Sequence, residues 1–224
     1  MGHILRTVLQ GEDLDRLRAG LATVGWAAGK RTAGVVARAV KANLQADASD
    51  PRVQALERFV VDALKRHPLF EITARPLQLS RVLFSRYEPG MEYGAHTDDA
   101  LMGEGDARMR TDLAFTLFLA ERQSYAGGEL VLETTLGEQA IGLEAGDAIV
   151  YPANMVHRVA PVSAGVRLAA VGWLQSLIAD AAQRELLFDL SAARARLAQA
   201  GAAQAELLTL DKSISNLLRM WARP

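Results

Sequence analysis

Hydrophobic positions along this chain change their spacing twice. Over the first third they recur at helical intervals: GEDLDRLRAGLA (11–22) sets its leucines three and four apart, and SDPRVQALERFVVDALKRHP (49–68) repeats the pattern over a longer reach. In the second stretch Asp50 is placed to cap a helix, Pro51 to open it at the first helical position and Pro68 to stand just past its end. From about Leu77 to Leu174 the apolar runs shorten and Gly, Pro and Asp fall between them: LSRVLFSRY, DLAFTLFLA, GELVLETT, QAIGLEAGDAIVYP, VHRVAPV and VRLAAVGWLQ. Short strands at spacings of about 8 to 12 residues, with no long helix between them, predict a sandwich or barrel rather than a parallel sheet. A jelly roll, whose two sheets enclose a pocket, is the economical choice. After Gln175 the helical interval returns in a segment rich in Ala, Leu, Arg and Gln. The expected architecture is mainly β with flanking helices: an N-terminal helical section (1–76) packing on the core, a jelly-roll core (77–176) and a C-terminal helical appendage (177–224).

Composition narrows the possible functions. At 224 residues and 50% hydrophobic the chain can bury a full core. A net charge of -1 without a long basic run argues against nucleic acid as a partner. The absence of cysteine excludes disulfides, iron–sulfur ligation, thiolate zinc sites and cysteine nucleophiles, so any metal must sit on His, Asp or Glu. The opening MGHILRTVLQGEDLD is broken by Arg6 and turns acidic at Glu12, and no run of about 18 apolar residues follows. The expectation is a soluble, cytoplasmic protein without a membrane segment.

Candidate chemistry starts at GAHTDDA (94–100). Side chains at i and i+2 of an extended segment leave on one face, so His96 is matched with Asp98, while Thr97 and Asp99 point the other way. His157, in YPANMVHRV, is the remaining histidine of the β-rich region; His3 lies near the terminus, and His67 fits a helix end on dipole grounds. Two histidines and one carboxylate form a facial set that suits Fe(II) and leaves positions open on the ion, whereas a structural zinc site closes all four. Ten residues beyond His157, Arg167 interrupts an apolar strand, where a guanidinium requires an anionic partner. The bland alternatives are a polar turn for His96 and Asp98 and a core carboxylate for Arg167. Gly127 and Gly128 are read as backbone geometry at a strand entry, and Gly146-Asp147 as a turn. Glu92, Tyr93 and Arg158 could rim a pocket, with no residue-level case for any of them.

On these stretches the chain resembles the iron(II)- and 2-oxoglutarate-dependent dioxygenases, in particular the bacterial PKHD-type hydroxylases related to prolyl 4-hydroxylases. The segments that carry the resemblance are RYEPGMEYGAHTDDA, RTDLAFTLFLAERQSYAGGELVLE, GDAIVYPANMVHRVAPVSAGVRLAAVGWLQS and the helical tail, with His, Asp, His and Arg in order. The resemblance implies a double-stranded β-helix core, Fe(II) on His96, Asp98 and His157, and Arg167 on the distal carboxylate of 2-oxoglutarate. Tyr87 matches a tyrosine that often lines the pocket in prolyl hydroxylases, where it can touch the cosubstrate or simply complete the core. The implied reaction hydroxylates a C–H bond of an unidentified prime substrate, small molecule or peptidyl, using O2 and releasing succinate and CO2, with L-ascorbate as reductant. Competing readings are a cupin-like metal-binding or sensor module, which has no use for Arg167, and a metal-dependent hydrolase, which would want a general base that the surroundings of His157 do not supply. The tail is expected to pack on the sheets and to offer a homodimer surface or a pocket lid.

Overall fold

Alternation within single strands sets the layers. The run Leu113–Phe118 is buried at every position because both of its faces are covered. Leu113, Phe115 and Leu117 join a core that also holds leucines of the N-terminal helices, while Ala114 and Phe118 face Leu130 and Leu132 of a second sheet. This is the jelly roll expected from strand spacing, and the computed structural model describes it over residues 2–32 and 38–223.

Among the described residues all strand pairings are antiparallel. One sheet runs in the order β1 (His3–Leu5), β14 (Ala148–Pro152), β10 (Leu113–Phe118), β17 (Arg167–Ser176), β6 (Leu83–Tyr87), β4 (Leu44–Ala46) and β2 (Trp26–Ala28), with β5 (Pro76–Leu79) added at the end of β17. The other runs β13 (Gly137–Ile141), β12 (Leu130–Thr134), β15 (His157–Val159), β7 (Glu92–His96) and β3 (Lys41–Ala42). Two short ribbons complete it, β8 (Leu101–Met102) with β9 (Met109–Arg110) and β11 (Tyr125–Gly127) with β16 (Val162–Gly165).

Helices cover the outer face of the larger sheet. α1 (Gly11–Ala22) buries Leu14, Leu17 and Leu21, and α2 (Pro51–Arg66) starts as its sequence predicts, with the Asp50 carboxylate accepting from Arg52 N at 2.8 Å. His67 closes α2 and precedes α3 (Pro68–Ala74); its Nε2 bonds the Arg6 carbonyl oxygen at 2.9 Å, a structural role. In the tail, α4 (Ala181–Gln199) and α5 (Gln204–Trp221) form a hairpin tied by the Arg194–Asp211 pair at 2.9 Å. Leu187 of α4 is fully buried, and Arg75 reaches Ser191 Oγ at 2.9 Å.

The reading of residues 1–76 as a helical section is incomplete. Four short strands from that section, β1 to β4, are built into the two sheets. Segments of two or three residues carry too few positions to show a period of two, and their pairing is decided by the edges that receive them. Asp147 likewise does more than form a turn: its buried carboxylate accepts from Thr7 N at 2.8 Å and pairs with Arg6, fastening the end of β1.

Candidate active site

Neighbouring strands β7 and β15 place His96 directly opposite His157 in the ladder, with ring centroids 4.4 Å apart. Each ring is oriented by its own backbone: Nδ1 of His96 donates to Gly94 O at 2.8 Å and Nδ1 of His157 to Met155 O at 3.0 Å. A carbonyl oxygen can only accept, so both Nδ1 atoms carry the proton and both Nε2 lone pairs are left for a ligand. Asp98 follows two residues after the end of β7, its side chain only 5% exposed, with Oδ1 3.8 Å from His157 Nε2. Oδ2 is buried without a hydrogen-bond partner among the described residues. One donor atom from each of the three residues lies within 4.8 Å of the others. Asp99 is exposed, and its carbonyl oxygen accepts from Thr111.

Electrostatics favour a cation at this point. Burial and the neighbouring His157 push His96 down to about 4, so it is neutral and ligand-ready at physiological pH. Burial pushes the Asp98 carboxyl up; His157 opposes that rise, as does the Trp173 indole, although its Nε1 lies outside hydrogen-bonding geometry. A buried carboxylate with an unpartnered oxygen, beside two imidazole Nε2 atoms, is a donor set in want of a metal. The residues fit the ion that the sequence implies.

Arg167 opens β17 directly across from Tyr87 on β6 and is 1% exposed. Its guanidinium lies over the rings of Tyr87 and Phe118, at 5.2 and 5.3 Å from their centroids. Among the described residues it has no carboxylate partner and no hydrogen bond to Nε, so the core carboxylate considered as a bland alternative is not there. Gly128 gives it room: φ is +69° and a Cβ would stand 2.9 Å from Arg167 Cδ, which is the close approach behind the Gly127-Gly128 pair. Tyr87 itself is 3% exposed, and burial pushes its hydroxyl up, against the pull of Arg167.

His96, Asp98, His157, Arg167 and Tyr87 all line one pocket. Tyr93, for which the sequence made no case, stacks on the His96 ring at 3.7 Å. Tyr151 meets His157 edge-on at 5.3 Å. Glu92 is exposed and Arg158 pairs with Glu138 at 2.8 Å, so neither lines the pocket. The residues that sequence reasoning missed are Lys41, Asn43 and Gln45, each 5–6% exposed along one wall. Burial lowers Lys41 to about 8, with Asp98 opposing.

Comparison with known proteins places these features in company. Residues 82–175 match the 2OG-Fe(II) oxygenase superfamily and residues 181–223 the PKHD-type hydroxylase C-terminal domain. A PKHD-type hydroxylase of Hyphomonas neptunium is 45% identical over 220 residues, covering 98% of both chains. One from Synechococcus elongatus is 46% identical over 215 residues, 96% of both. Among solved structures, a Trichoplax adhaerens prolyl hydroxylase in complex with a hypoxia inducible factor peptide superposes with a TM-score of 0.58 at 14% identity, over 77% of this chain and 82% of that one. A Pseudomonas putida prolyl-4-hydroxylase gives 0.51 at 17%, over 78% and 92%. At such identities the structural likeness speaks to fold alone.

Proposed function

This chain belongs to the PKHD-type hydroxylases of the 2OG-Fe(II) oxygenase superfamily and is an iron(II)- and 2-oxoglutarate-dependent dioxygenase; from that premise we propose that His96, Asp98 and His157 hold the iron and Arg167 the cosubstrate's distal carboxylate. When bound, the iron couples oxidative decarboxylation of 2-oxoglutarate by O2, to succinate and CO2, with hydroxylation of a substrate C–H bond. The protein's share is placement. The two imidazoles are aimed by their Nδ1 bonds to carbonyl oxygens, burial keeps His96 neutral, and Asp98 contributes the charge. Arg167 fixes the far end of the keto acid, and Tyr87, opposite it in the ladder, walls the same region. Residues 77–176 thus carry the chemistry and 177–224 support it, with L-ascorbate as the reductant and the cytoplasm as the compartment. Among the described residues no helix is long and apolar enough to cross a membrane.

The observation that carries this assignment is Arg167, a fully buried cation without an anionic partner among the described residues, in the same pocket as a three-ligand metal set. A metal-binding module without oxygenase activity has no need of it. The prime substrate, a small molecule or one side chain of a peptide, enters the pocket that these residues line. Succinate formation measured with Fe(II), O2, ascorbate and 2-oxoglutarate, without prime substrate, is expected to be slow, iron-dependent and inhibited by N-oxalylglycine. Tight Fe(II) binding with no 2-oxoglutarate-dependent absorbance band would remove the assignment of the site.

The tail is proposed as the surface of a homodimer. Leu186 and Leu197, 45% and 42% exposed and about three turns apart on α4, lie uncovered with Leu208 and Met220 of α5 at 63% and 66%. Light scattering of the full chain is expected to give a dimer, and the L186E/L197E double variant a monomer with turnover retained. A monomeric unsubstituted chain would rule the dimer out and leave the catalytic reading untouched.

A further inference from the structure

Asn43 carries a carboxamide that the fold buries and leaves unanswered. It is 5% exposed and lines the pocket, and among the described residues neither Nδ2 nor Oδ1 has a hydrogen-bond partner. Buried polar atoms in folded proteins are paired almost without exception, so an orphan donor and an orphan acceptor on one side chain mark a place where something else binds. Residues 41–46 cross from the smaller sheet at β3 to the larger at β4, and Asn43 is the residue between the two strands. Lys41, Asn43 and Gln45 alternate along this crossing and all three line the pocket. At one end Lys41 lies over the Tyr93 ring, 5.0 Å from its centroid, and Tyr93 stacks on His96. Further along, the Asn43 amide stands beside the Tyr87 hydroxyl, outside bonding geometry. Gly29 leaves the space that the carboxamide occupies: Gly29 N donates to Asn43 O at 2.8 Å, and a Cβ on Gly29 would fall 1.9 Å from Oδ1.

The donor set selects the ligand. A carboxylate, such as either end of 2-oxoglutarate, offers acceptors only; it would satisfy Nδ2 and set an anion against Oδ1. The distal carboxylate of the cosubstrate is in any case assigned to Arg167 in the function proposed above, on which this inference rests. A group with N–H and C=O side by side satisfies both atoms at once, and a carboxamide or a peptide unit is such a group. We propose that Asn43 is a specificity-determining residue whose carboxamide pairs with an amide of the prime substrate, so that an adjacent carbon faces His96, Asp98 and His157. Lys41 and Gln45, on the same wall, make it polar throughout.

The probe is N-acetylglycinamide, uncharged and with two amides, added under argon to the full chain loaded with Fe(II) and 2-oxoglutarate. Its binding is read by saturation-transfer NMR, and cosubstrate binding separately by the metal-to-ligand absorbance band. The probe is expected to bind the unsubstituted protein, and Asn43→Ala to weaken it about tenfold to a hundredfold, the loss of two neutral hydrogen bonds, with 2-oxoglutarate affinity unchanged. Gly29→Ala, which displaces the carboxamide without removing it, is expected to weaken the probe as well and decides the matter if a melting curve shows Asn43→Ala unfolded. No binding to the unsubstituted protein, or binding to both variants as tight as to the unsubstituted protein, overturns the proposal. Loss of 2-oxoglutarate affinity in Asn43→Ala, with probe binding kept, assigns the residue to the cosubstrate instead. Absence of the absorbance band in the unsubstituted protein is a different result, the failure of the site assignment itself.

Discussion

Alanine at His96, Asp98 or His157 is expected to abolish succinate formation and Fe(II) binding alike, while Asp99→Ala leaves both in place. The three act as one unit because each supplies a single donor atom within 4.8 Å of the other two, and an ion held by the two that remain is left to water. Asp99 is exposed and engages the structure through its carbonyl oxygen, so its carboxylate can be removed without disturbing the set. Thermal melting under argon gives a readout independent of turnover. At free Fe(II) about a hundredfold above Kd, ligation adds about 2.7 kcal/mol to the stability of the folded chain. For a chain of this length that corresponds to a rise of roughly 5 to 11 °C. The rise should be present in the unsubstituted protein and in Asp99→Ala and absent from the other three. Asp98→Ala should also melt no lower than the unsubstituted protein when both are metal-free, since it deletes a buried carboxylate oxygen that has no partner. A metal-dependent rise in Asp98→Ala and none in Asp99→Ala would reverse the two roles.

The set was legible in the sequence because its parts are rare and local constraints fix their direction. His96 and Asp98 sit two apart in an extended stretch, and the i, i+2 rule carries past the end of β7, which stops at His96, to bring Asp98 inward as well. His157 was reached by elimination, a step open only to a chain with four histidines. Arg167 announced itself as a charge inside an apolar strand. The wall formed by Lys41, Asn43 and Gln45 was not read, although its signal is plain in retrospect: KANLQA alternates polar and apolar residues with a period of two. The usual inference sends the polar face of such a segment to solvent. Here the polar face is the buried one, because the segment closes the side of a pocket, and Ala42 on the opposite face is exposed. Local pattern gives the period of a strand. Which face turns inward depends on what the sheets enclose, and that is a property of the whole fold.

Arg167→Ala is expected to weaken 2-oxoglutarate binding by roughly thirty-fold to several thousand-fold, with Fe(II) binding preserved. Arg167 is 1% exposed and its guanidinium lies over two aromatic rings, so the distal carboxylate proposed to pair with it would be stripped of most of its water on entry. Removing one partner of a buried, hydrogen-bonded charge pair costs on the order of 2 to 5 kcal/mol, much of it from the charge left unpaired. That range converts to the fold-change given above. Arg167→Lys should recover part of the loss: the charge remains, but the planar fork that meets both carboxylate oxygens is gone. The affinity is read from the metal-to-ligand absorbance band, with a melting curve to confirm folding, since Arg167 is the largest fully buried side chain among the described residues. Arg167→Ala should also lose inhibition by N-oxalylglycine, which presents the same distal carboxylate, and keep the metal-dependent rise in melting temperature. Unchanged 2-oxoglutarate affinity in Arg167→Ala would leave a buried cation without a ligand and would move the cosubstrate's distal carboxylate elsewhere in the pocket, where Lys41 is the other buried cation among the residues that line it.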